Sequence, residues 1–108
     1  MNAEQASAMG LETGLLAVPQ DGSFVALRVE TDDALGAGIE PGMLVLVDIA
    51  AEPTSRSLVA VLVGRRIGVY RWRPDAFVPV SLEPRAALAG SAGQLLGVVR
   101  QAIRQFDA

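Results

Sequence analysis

Two adjacent carboxylates, Asp32 and Asp33, and the single tyrosine, Tyr70, are the residues of this 108-residue chain whose types could do chemistry. The carboxylate pair offers either a hard divalent-cation site or an acid/base pair, provided that both side chains converge. Consecutive residues that diverge would instead serve as turn and cap groups. All nine basic residues are arginine, and the chain contains no lysine, histidine or cysteine. That composition excludes Ser/His, Cys/His and Ser/Lys pairs assembled within one chain. It also removes the preferred ligands of zinc, copper and iron, leaving only carboxylate and carbonyl sites of the magnesium or calcium kind; because adjacent carboxylates usually diverge, no metal and no cofactor are expected.

A second constellation interleaves Arg65, Arg66, Arg71 and Arg73 with Tyr70 and Trp72, the pattern of a nucleic-acid-binding ribbon. A pI of about 4.8 and the lack of lysine weigh against direct nucleic-acid contact. Met1–Ser55 carries nine acids against one base, and Arg56–Ala108 carries eight bases against three acids. Such asymmetry can mark a contact surface, but in a small barrel the two halves interleave and the separation need not survive in space.

The elements that must position these groups are strands. Val25, Leu27 and Val29 alternate with Ala26, Arg28 and Glu30, the period of a half-buried strand over Phe24–Glu30. Thr31, Asp32 and Asp33 break the pattern, and Asp33 is placed to cap a short turn over Ala34–Ile39. Pro41 and Gly42 suit a tight turn, and the apolar run Met43–Val47 suits a strand covered on both faces. Leu58–Val63, a turn at Gly64–Arg66 and Ile67–Trp72 read as a hairpin. On its return strand Arg66, Gly68, Tyr70 and Trp72 share one face, and Ile67, Val69 and Arg71 the other.

Further on, Phe77–Leu82 reads as a short edge strand because of Pro79, and Arg85–Gly93 as a small-residue loop or frayed helical turn. Leu95–Ile103 reads as a strand, with a helical stripe over Val98–Phe106 as the competing pattern. The longest apolar runs fall well short of the ~20 residues that cross a bilayer, and Met1–Gln20 lacks a basic region followed by an apolar one. The expectation is a cytoplasmic chain with no membrane partner, divided into an N-terminal arm, 1–20, and a β domain, 21–108.

These blocks carry a resemblance. A strand leading to Thr31-Asp32-Asp33-Ala34, then Ile39-Glu40-Pro41-Gly42-Met43 and an aliphatic strand, resembles the LexA and UmuD group of self-cleaving repressors and polymerase accessory proteins. That family has a Gly-Asp-Ser-Met elbow followed by an Ile-x-x-Gly-Asp turn. Ser57–Trp72 resembles its second signature, a hairpin ending in Val-Lys-Arg. With Leu95–Ile103 the likeness covers most of the chain from Phe24 onward.

The resemblance implies a mostly β, small barrel-like fold of the LexA and signal-peptidase type in a single domain. It also puts the family's nucleophilic serine on Asp33 and its general-base lysine on Tyr70. A carboxylate cannot replace the hydroxyl nucleophile by that route, and a phenol with pKa near ~10 is a poor base at neutral pH. The implied protein is a pseudopeptidase, with no catalytic residue at the degenerate positions Asp33 and Tyr70. A phenol-to-carboxylate hydrogen bond between them is expected, with Asp32 and Trp72 on the wall of the vacated cleft.

Function then falls to protein interaction in the SOS response, prophage repression or translesion-polymerase regulation. The implied partners are a second copy in a homodimer, a related repressor, a polymerase or a recombinase filament. The apolar Leu95, Leu96, Val98 and Val99 are the expected dimer strand, since an unpaired edge there would otherwise aggregate. The alternatives are an enzyme with a carboxylate/metal site, a peptidase completed in trans, or the C-terminal dimerisation half of a longer DNA-binding repressor. Met9–Gly10 is the nearest match to a cleavable bond in the arm, and Gly14–Val18 could pair as an edge strand.

Overall fold

Alternation and apolar runs in the sequence become strands almost residue for residue. The computed structural model describes residues 22–104, which form one mostly β sheet of seven antiparallel strands. They are β1 (Phe24–Arg28), β2 (Leu44–Asp48), β3 (Leu58–Val63), β4 (Arg66–Arg73), β5 (Ala76–Val78), β6 (Leu88–Ala89) and β7 (Gln94–Ile103). Single 3₁₀ turns occupy Leu35–Ala37 and Gly90–Ala92. The arm and its suggested features, Met9–Gly10 and Gly14–Val18, lie outside the described residues, as does Phe106.

The strand order is β1-β2-β7-β3-β4-β5-β6. Among the described residues no ladder joins β1 to β6, so the sheet curls without closing into a barrel. The curl nevertheless brings the exit of β1 against β4: Glu30 N donates to Ile67 O at 2.8 Å, and Ile67 N donates to Glu30 Oε1 at 2.9 Å. Strand β7 makes the curl possible. Its first half pairs with β3 and its second half with β2, with extra residues at Leu96 and Arg100 where the register shifts. Inserted residues of this kind bend a strand and sharpen its twist.

Both faces of the sheet are covered. Val45, Val47, Ala60 and Val69 pack with Val29, Ala34 and Ile39 on one side; Val59, Val61, Tyr70, Phe77 and Val98 pack on the other. Neighbours in sequence such as Val59 and Ala60, or Val69 and Tyr70, therefore serve opposite clusters, as a period of two requires. The uninterrupted apolar run of β2 is explained in the same way, with Leu44–Val47 all buried.

Two expectations are corrected. Strand β5 ends at Val78 rather than Leu82, because Val80 N donates to Asp33 O and Val80 O accepts from Gly36 N, each at 2.7 Å. Those bonds pull the chain off the sheet. The small-residue stretch after Arg85 is not all loop, since Leu88–Ala89 pairs with β5. Strand β7 is shared between neighbours: Leu95 and Gly97 are laddered to β3, Val98 to both β3 and β2, and Val99 to β2.

Folding brings acids of the first half against arginines of the second. Each ion pair among the described residues joins an arginine of the second half to an acid of the first: Arg85 to Asp32 and Asp33, Arg100 to Asp48, and Arg104 to Glu40.

Candidate functional site

The site begins where β1 ends. After Glu30 the chain leaves the sheet, and Thr31–Ala34 forms an elbow fastened by the two backbone bonds to Val80. Ala34 is fully buried, and Ile39 N donates to Ala34 O at 3.1 Å. The return to β2 is a turn in which Met43 N donates to Glu40 O, with Pro41 supplying a fixed φ and Gly42 at +94°. This is the type II arrangement of proline and glycine. It fixes where the elbow presents its two carboxylates.

Asp33 does not cap the 3₁₀ turn. The cap position is Ala34, without a side-chain bond, and the Asp33 carboxylate goes to stronger partners. Tyr70 Oη donates to Asp33 Oδ2 at 2.6 Å, and Arg85 Nη1 donates to Asp33 Oδ1 at 3.0 Å. Arg85 also forks across Asp32, with Nη1 to Oδ1 at 2.7 Å and Nη2 to Oδ2 at 3.2 Å. The adjacent carboxylates thus converge on one guanidinium, in the bidentate geometry that arginine favours.

Tyr70 reaches Asp33 from β4 because Gly68, two residues earlier on the same face, has no side chain. A Cβ there would lie 2.6 Å from Thr31 Oγ1 and 2.9 Å from the Tyr70 ring. The Tyr70 ring is buried and tilts against Phe77 with centroids 6.3 Å apart. Burial, reinforced by the hydrogen bond to Asp33 and its negative charge, pushes the phenol well above its usual range. It is a protonated donor at neutral pH. Thr31 Oγ1 is buried beside it, without a well-aligned hydrogen bond.

These groups line a cleft of about 720 Å³, together with the apolar Val63 and Leu88 and the charged Glu30 and Arg66. Asp32 belongs to its lining. Trp72 does not: it shares the face of Tyr70 but packs on the Val59–Phe77 cluster.

The chain matches no family model and no curated protein. Function is therefore argued from the site itself. Arg85 draws the Asp32 carboxyl below the usual carboxylate range, chiefly through its hydrogen bond, and is itself held further into its charged form. All four oxygens of the two aspartates are engaged by protein donors. No group of three histidine, cysteine, aspartate or glutamate residues able to hold a metal ion occurs among the described residues. The arrangement can bind and orient, with Asp32 and Arg85 held as an ion pair and the Tyr70 phenol held as a protonated donor.

Sequence reasoning brought Asp32, Asp33 and Tyr70 to one cleft. It missed Arg85, placed at the start of a small-residue loop or frayed helical turn, and gave Gly68 no role. A glycine inside a strand pattern is itself a sign of close approach and would have found Gly68. Nothing in the sequence marks Arg85.

Proposed function

We propose that this chain is a catalytically inert interaction domain of the LexA and UmuD type, acting in the cytoplasm by dimerisation or partner binding in damage response, prophage repression or polymerase regulation. The observation that supports the reading is the 2.6 Å contact between Tyr70 and Asp33. A nucleophile and its base must lie within hydrogen-bond reach, and the positions the resemblance assigns to serine and lysine lie within that reach. Here they hold a protonated phenol and a carboxylate. Neither of these two positions holds an aliphatic hydroxyl to be activated or an amine that could activate one.

A partner would be a second copy, a related repressor, a polymerase or a recombinase filament. Prolonged incubation at alkaline pH, with and without activated recombinase filament, tests the reading. Mass spectrometry should return the intact chain in both arms. A specific internal cut would overturn inertness, and a cut confined to the filament arm would favour a site completed in trans.

A further inference from the structure

We propose that the segment Pro79–Ala87, linking β5 to β6, is a displaceable strap latched by Arg85, and that a partner opens it by presenting its own arginine to Asp32 and Asp33. The strap is fastened at one end by the two backbone bonds of Val80. From Leu82 to Ala87 every residue is exposed, Leu82 at 78%. This part of the strap has no apolar anchor, so it is held by Arg85, whose guanidinium makes the contacts to both aspartates.

Those contacts are strong in geometry and weak in protection. The Arg85 and Asp32 side chains are 38% and 54% exposed, and solvent-exposed ion pairs exchange readily. The place Arg85 occupies is shaped for a guanidinium: two carboxylates converge on it, one offering both oxygens as a fork, and the Tyr70 phenol fixes the other. An ammonium is a point charge and cannot satisfy that fork. The group seated there thus identifies the chemistry of the competitor. An arginine side chain from another chain reproduces its contacts and leaves the strap free to swing from the cleft lined by Val63 and Leu88.

This inference rests on the cleft being a partner-binding surface, but its test is separate from the self-cleavage assay. Amide exchange is followed in the full chain and in Arg85→Ala, with Arg85→Lys as a charge-preserving variant, and the amides of β2 and β7 report whether the fold is intact. Exchange at Val80 and Gly36 should quicken roughly fivefold in both variants, with β2 and β7 unchanged. An acetyl-Ala-Arg-Ala-amide peptide should bind Arg85→Ala roughly fivefold more tightly than the natural chain, because the internal competitor is gone. The citrulline counterpart should bind neither. Unchanged exchange at Val80 and Gly36 would overturn the latch, and equal binding of the arginine and citrulline peptides would overturn the receptor. A self-cleaving chain would defeat the inert reading and leave both results standing.

Discussion

The Tyr70 phenol donates to the Asp33 carboxylate across 37 positions of sequence, and the glycine two residues before Tyr70 is what gives the ring room to do so. The bond joins strand β4 to the elbow after β1, the same junction at which Glu30 meets Ile67. One side-chain contact therefore ties the exit of one strand to the middle of another and fills the cleft with a static polar pair.

Removing only the hydroxyl isolates the contribution of that bond. Tyr70→Phe keeps the ring against Phe77 and leaves Asp33 with Arg85 alone. Hydrogen bonds to charged groups are worth about 1.5–3 kcal/mol, and the loss should fall in that range, read as a lowered midpoint in urea at unchanged slope.

Gly68→Ala should cost a comparable amount by a different cause. The added Cβ meets Thr31 Oγ1 and the Tyr70 ring well inside contact distance, so one of them must move. Overpacking of this kind costs about 1–3 kcal/mol. Where it is the ring that gives way and leaves Asp33, the phenol of this variant should also ionise at lower pH than in the natural chain; displacement of Thr31 alone would leave that titration unchanged.

The acid limb of stability should report the Arg85 latch. Arg85 lowers the Asp32 carboxyl in the folded chain below its ordinary value of 3.8. A depressed carboxyl contributes stability that is present above the unfolded pKa and is lost as pH falls through the folded one. Thermal melts from neutral pH downward should therefore show Arg85→Ala converging on the natural chain in strong acid, the difference between them shrinking below about pH 4. A constant difference across that range would assign the effect of Arg85 to packing.

The two-sided core predicts a sharp contrast between apolar positions. Val47 and Val61 are fully buried in opposite clusters, and truncating either to alanine should cost about 2 kcal/mol through lost contacts and a residual cavity. Leu82, 78% exposed on the strap, should change stability by no more than about 0.5 kcal/mol. Equilibrium denaturation of the three variants makes the comparison.

What the sequence made legible was local. The Met43–Val47 run, the Leu58–Trp72 hairpin and the Pro41–Gly42 turn are each written in consecutive residues, and all three appear in the fold. The Tyr70–Asp33 contact was legible at longer range only through the likeness of two blocks to a known pattern. Arg85 was not, since its partners lie 52 and 53 positions away and are chosen by how the sheet curls. The same tertiary choice redirected Asp33 from a cap to Tyr70 and Arg85, and diverted Val80 from β5 to the elbow. The sharing of β7 between β3 and β2 was hidden as well, because the extra residues at Leu96 and Arg100 that let one strand serve two neighbours leave the apolar pattern nearly unaltered.

The central claim is that the phenol at position 70 sits buried and protonated on Asp33. Because the chain has a single tyrosine, the ultraviolet absorbance of tyrosinate reports that group alone. In urea the phenol should titrate near its ordinary value of ~10. In the folded chain, burial and the Asp33 charge should delay ionisation until well above that value. The stability this provides is whole below the unfolded pKa and is lost as pH rises toward the folded one. A folded-state titration that coincides with the denatured one would contradict the account.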